Sequence, residues 1–131
     1  MTAYLLDANV LIAISAFDHA DRQRTKRWIR DVTRFAVCPI TEGALVRYFV
    51  RIGRYADEAQ AVLRALAGRP GYEFWPDDLS YANAGLGDIK GHKQVTDAYL
   101  VALTRTHPGA KLATLDVALA ADHVDVAELI P

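Results

Sequence analysis

AYLLDANVLIA, residues 3–13, is apolar along its length apart from Asp7 and Asn9. Residues 3–7 have the apolar character of a strand buried on both faces, and ANVLIAIS (8–15) reads as a short helix beginning directly after it. A strand that runs straight into a helix predicts a parallel sheet with helices packed on it. It also sets a problem: a carboxylate flanked by Leu5, Leu6, Val10 and Leu11 is costly to bury unless it has partners.

The rest of the chain repeats the alternation. RFAVCPI (34–40), YEFWP (72–76), AKLATLD (110–116) and VAELI (126–130) read as further strands. Residues 19–33 predict a surface helix with Ala20, Trp28, Ile29 and Val32 turned inward. Thr41 to Ile52 predicts a helix with Leu45, Tyr48, Phe49 and Ile52 on one face, ended by Gly53; residues 55–67 predict another, stopped by GRPG (68–71). A short helix is expected within 78–86, a largely buried one over DAYLVALTRTH (97–107) and a short one over VALAADH (117–123). GLGDIKGHK (85–93), with three glycines, reads as a loop. The expected class is α/β, with a mostly parallel sheet, helices on both faces and a ligand at the carboxyl ends of the strands.

Composition bounds the function. The 131 residues fit one domain, 1–131, and 52% hydrophobic with 24% charged residues is globular rather than disordered. Fifteen Lys and Arg against sixteen Asp and Glu leave a net charge of −1, so any phosphate-binding surface must be local. The single cysteine, Cys38, allows no intramolecular disulfide and reads as a small buried apolar residue, which suits a reducing compartment. There is no signal-peptide pattern and no apolar run of the roughly 20 residues a membrane helix needs, so a cytoplasmic protein is expected.

Four acids stand at related places. Asp7 closes AYLLD and Asp116 closes KLATLD; parallel strands would deliver both to one sheet edge. Glu42 and Asp97 each follow a threonine, Thr41 or Thr96, that reads as an N-cap. Steps of three and four from Glu42 reach Leu45 and Val46, and from Asp97 they reach Leu100 and Val101, so both acids head apolar faces. Each acid alone is explained by a helix cap or first turn. Together they would repel, by on the order of 4 kcal/mol per pair at about 4 Å and an effective dielectric near 20. A divalent cation relieves that repulsion, and an all-oxygen donor set suits Mg²⁺ or Mn²⁺. Asn9 offers an amide to orient a carboxylate, or serves a turn. Thr114, two residues before Asp116, offers a hydroxyl, or is simply a β-branched strand former.

Asp7 in LLDANVL, Glu42 in PITEGALVR, Asp97 in VTDAYLVAL and Asp116 in LATLD, in this order and spacing, resemble the acidic positions of the PIN-domain family, and more narrowly its VapC-like toxin branch. The resemblance covers essentially the whole chain. It implies a three-layer α/β/α sandwich, Mg²⁺ or Mn²⁺ held by the acids, and endonucleolytic cleavage of RNA to a 5′-phosphate and a 3′-hydroxyl. It also implies a VapB-like antitoxin partner, from bacterial toxin–antitoxin pairs, and a homodimer. In such a site Asp7 and Asp97 would be direct ligands, Asp116 a ligand directly or through water, and Glu42 a further ligand or the group orienting the attacking water. Candidate phosphate contacts are Arg47 and Arg51 beyond Glu42, and Lys90, His92 and Lys93 in the glycine-rich loop; each also reads as an ordinary solvated side chain. Trp75 and Tyr81 could stack on bases but read first as packing residues, and Asp77, Asp78 and Asp88 read as loop or cap acids.

Two other classes compete. A receiver domain also gathers acids around Mg²⁺, but it needs an acid pair after the first strand and a lysine after the fifth, and neither is present. A haloacid-dehalogenase-type phosphatase needs an Asp where Asn9 stands. A metal-binding regulatory or binding module without nuclease activity remains the alternative.

Overall fold

The computed structural model describes residues 1–131. Five strands, β1 (Ala3–Leu6), β2 (Arg34–Val37), β3 (Tyr72–Phe74), β4 (Lys111–Thr114) and β5 (Ala127–Leu129), form one sheet in the order β3-β2-β1-β4-β5. Every pairing is parallel. Six helices accompany them: α1 (Ala8–Ser15), α2 (Arg22–Ile29), α3 (Pro39–Arg51), α4 (Ala56–Ala67), α5 (Val95–Arg105) and α6 (Val117–Asp122).

Side-chain alternation along the central strands builds three layers. Leu5, in register with Ala36 and Leu112, faces Tyr99, Leu100 and Leu103 of α5 and Leu119 of α6. Its neighbour Leu6 points the other way, with Phe35, Val37 and Ala113, into a core closed by α1–α4 through Val10, Leu11, Ile29, Leu45, Phe49 and Leu66. The chain first lays strands outward on one side of β1 (β2, then β3) and afterwards on the other (β4, then β5), so the winding reverses between β1 and β4. A crevice at the carboxyl ends of two such strands is where parallel sheets hold ligands. Asp7 and Asp116 leave the sheet at that place.

Several boundaries differ from the sequence reading. Helix α3 starts at Pro39, with Cys38 as N-cap, rather than after Thr41. Proline has no N–H to lose and a φ suited to the first helical position, so it moves the start upstream. Thr41 is buried and turned back, its hydroxyl accepting from the Cys38 N–H at 3.2 Å and donating to the Cys38 carbonyl at 3.0 Å. Helix α5 likewise begins before Thr96, with Gln94 as N-cap. Between β3 and α5 there are only two 3₁₀ turns, Tyr81–Asn83 and His92–Gln94, and the helix expected within 78–86 shrinks to the first of them, capped by Ser80 on the Ala82 N–H at 3.1 Å. Around α2, Ile29 is buried and Trp28 and Val32 pack partly against the same core, as expected, joined by buried Thr25, whereas Ala20 is exposed before the helix begins. Cys38 is buried, Trp75 is buried and stacked on His107, and Tyr81 packs on Tyr99. Gly71, with φ +85°, is required at its turn: a Cβ there would lie 1.9 Å from the Thr33 carbonyl oxygen.

Candidate active site

Asp7 is the residue between β1 and α1, 5% exposed, and its own helix start supplies the first of its partners. One carboxylate oxygen accepts the Ala8 N–H at 2.8 Å; the other accepts the Thr114 hydroxyl at 2.7 Å. Thr114 ends β4 fully buried, and its oxygen in turn accepts the Asp116 N–H at 3.0 Å. Asn9 spans the same gap, accepting the Leu115 N–H at 3.2 Å while its amide nitrogen reaches Thr114 Oγ1 at 3.5 Å. Both neutral residues therefore do more than cap or fill: they stitch the end of β1 to the end of β4 at the reversal of winding.

Asp116 is exposed and caps α6, accepting the Leu119 N–H at 3.1 Å through Oδ1. Asp97, half-buried in the first turn of α5, completes a group of three. Burial, followed by the charges of Asp7 and Asp116, pushes the Asp97 carboxyl up to about 6. Burial also raises Asp7, against the pull of its Thr114 and Ala8 hydrogen bonds, and the Asp116 charge adds to the rise. The molecule's ion pairs, Arg24–Asp21, Arg34–Glu73, Arg54–Glu58 and Arg105–Asp125, leave all three acids without a basic partner. An anionic, all-oxygen set of this kind fits a hard divalent cation. The side chains as they stand are not a closed cage, since no three His, Cys, Asp or Glu residues form a ready-made ligand set.

Glu42 feels a different neighbouring acid. It is partly buried in the first turn of α3, raised by burial and then by the charge of Asp77. Asp77, read from sequence as a loop acid, lies against the Cys38 thiol and the Ile40 N–H at the start of α3. It is the acid nearest in effect to Glu42, and only the contact between the post-β3 loop and α3 brings them together.

Asp97 and Asp116 line a cleft of about 1240 Å³ together with Lys90, Lys93, Arg105 and His123. Of the candidate phosphate contacts, Lys90 and Lys93 belong to this cleft. His92 is exposed in the adjoining turn and does not line it. Arg47 and Arg51 are exposed on α3, with the Arg51 guanidinium 5.5 Å from the centre of the Tyr48 ring. Arg105, two turns after Asp97 on α5, also lines the cleft, with its guanidinium paired to both carboxylate oxygens of Asp125 at 3.0 and 2.9 Å.

Fold and site together define a parallel α/β protein with an acidic crevice at its switch point. The PIN-domain family model matches residues 4–123, and the chain belongs to that family, in its VapC branch. It is 49% identical over 128 residues to Ribonuclease VapC29 of Mycobacterium tuberculosis, an alignment covering 97% of this chain and 96% of the relative. Ribonuclease VapC39 of the same species is 36% identical over 130 residues, covering 92% of each. Among solved structures the fold resembles that of VapBC2 from Rickettsia felis bound to a DNA fragment from their promoter. That match has a TM-score of 0.62 at 14% identity and covers 99% of this chain and 100% of the other.

Proposed function

We propose that this protein is the toxin of a VapBC-type toxin–antitoxin pair, an endoribonuclease that cleaves RNA by water attack with Mg²⁺ or Mn²⁺. The observation that carries the reading is the Asp7–Asp97–Asp116 group, mutually repelling and without a basic partner, in a chain 49% identical to a protein named as a ribonuclease. Asp7 and Asp97 would hold the ion, with Asp116 joining directly or through water. A divalent ion bound there supplies an activated water at neutral pH and charge stabilisation on the scissile phosphate.

The chain's own residues supply the rest. Ala8 and Thr114 fix both oxygens of Asp7, so its carboxylate would be held ready for an ion with little reorganisation. Asn9 holds the β4–α6 turn that carries Asp116. Glu42, in the first turn of α3, would help hold the ion or orient the attacking water. Lys90 and Lys93 meet phosphates in the cleft and hold the strand without reading its bases.

A VapB-like antitoxin is the partner this branch implies, and exposed Val50, Ile52 and Tyr55 around the end of α3 offer an apolar face for a homodimer. No helix is long and apolar enough to cross a membrane. A toxin acting on RNA would work in the cytoplasm. The decisive assay incubates purified protein with structured RNA and Mn²⁺, with an EDTA control and the Asp7→Asn variant beside it. Cleavage by the wild type alone, lost in EDTA, is expected. Cleavage unaffected by Asp7→Asn would assign the activity elsewhere, and no cleavage at all would favour a binding module without catalysis.

A further inference from the structure

The loop before α5 is held by one side chain. Gln94 Oε1 accepts the backbone N–H of Lys90 at 2.7 Å and of Gly91 at 3.3 Å. The Gln94 backbone N–H closes the same turn onto the Gly91 carbonyl at 3.0 Å. Gln94 is also the N-cap of α5, three residues before Asp97, and lines the cleft with Lys90, Lys93, Asp97 and Asp116. The segment it gathers contains Gly85, Gly87 and Gly91, none of whose backbones is crowded by a neighbour. A chain so rich in glycine loses much entropy when ordered, and the Gln94 acceptor adds two hydrogen bonds to the turn that carries both lysines.

We infer that Gln94 is a positioning residue for RNA: its side-chain carbonyl folds the Lys90–Lys93 turn so that both ammonium groups face the cleft where the strand is cut. The inference rests on the ribonuclease reading above and adds to it the residue that sets phosphate binding. The Gln94 side chain hydrogen-bonds the Lys90 and Gly91 backbone and none of the acids, so it acts on binding through Lys90 and Lys93 rather than on the chemical step.

The test measures RNA cleavage in Mn²⁺ over a series of KCl concentrations, for wild type and Gln94→Ala, alone and in a Lys90→Ala/Lys93→Ala background. Gln94→Ala is expected to raise KM about five-fold, the equivalent of one hydrogen bond, with kcat little changed. The slope of log KM against log salt should fall by about 0.7 for each phosphate no longer engaged. In the Lys90→Ala/Lys93→Ala background the same substitution should have little further effect. Amide hydrogen exchange, read without RNA, should show Lys90 and Gly91 deprotected in Gln94→Ala and protected in Gln94→Glu, which keeps an acceptor oxygen. Unchanged KM and salt slope would overturn the inference while leaving the ribonuclease reading intact, as would a five-fold effect persisting without the lysines. A loss confined to kcat would move Gln94 into the chemistry and overturn it too. Wild-type protein that cleaves no RNA would overturn the ribonuclease reading, and this inference with it.

Discussion

The two halves of the sheet's carboxyl edge are built differently. On the β1–β4 side, a buried threonine and an asparagine tie Asp7 to the turn that carries Asp116 through side-chain hydrogen bonds of defined length, and Asp97 feels the charge of both acids. On the β2–β3 side, Glu42 and Asp77 share only the start of α3 and a mutual repulsion. The first half lies at the reversal of winding, where neighbouring helices diverge and leave a crevice; the second lies where successive strands run outward and the chain covers its own edge. A carboxylate with both oxygens held, as in Asp7, suits an ion that must be kept in one place.

That contrast can be broken first at Asp7. Asp7→Asn should lower RNA cleavage by at least about 100-fold, the scale of a disturbed metal ligand or its support, with an unchanged near-UV circular dichroism spectrum. Thr114→Val keeps the shape but removes the donor to Asp7 and the acceptor for Asp116. It should cost about 1–3 kcal/mol in denaturant melts and lower activity as well, because the Asp7 carboxylate, the Asp116 N–H and the Asn9 amide each lose a partner. If Thr114→Val were neutral in both, the stitched half would be no more organised than the other.

Asp97→Asn tests the sign of the electrostatics. The folded value of about 6 lies above the ordinary carboxylate range, so the ionised form is disfavoured by the fold. The resulting destabilisation is absent below about pH 4, grows as pH rises through about 4 to 6, and is complete above that. The metal-free variant should therefore be more stable than wild type at about pH 7.5 by about 1 kcal/mol, a figure reduced for the half-exposure of the group, and nearly equal to it at about pH 4. A lower melting temperature for the variant at the higher pH would contradict the repulsion. Asp77→Asn should give the smallest effect. Relieved of its neighbour's charge, Glu42 should titrate lower, moving the acid limb of the pH–activity profile downward while metal affinity stays the same. A loss of metal affinity would join the two halves into one site.

Much of this is legible in the residues. Asp7 announces itself because a lone acid in an apolar run has to be explained, and the alternation of strands and helices tells which edge the other acids share. Asn9 and Thr114 are ambiguous until the β1–β4 register places them face to face, since neither sequence distance nor composition measures a gap of 105 residues closed to one hydrogen bond. The helix starts lie upstream of Thr41 and Thr96 because the proline at position 39 sets the first helical turn of α3 and Gln94 takes the cap of α5. Asp77 is hidden for a different reason: its relation to Glu42 comes from a loop folding onto a neighbouring helix, and no periodicity encodes that.

Titrating Mn²⁺ into the metal-stripped protein at neutral pH while recording the melting temperature tests the acidic crevice most directly. Wild type should gain stability in proportion to the logarithm of free ion above its dissociation constant, and both Asp7→Asn and Asp97→Asn should lose most of that gain. A wild-type melting temperature indifferent to Mn²⁺, or one that rises equally in all three proteins, would contradict the assignment of the ion to these carboxylates.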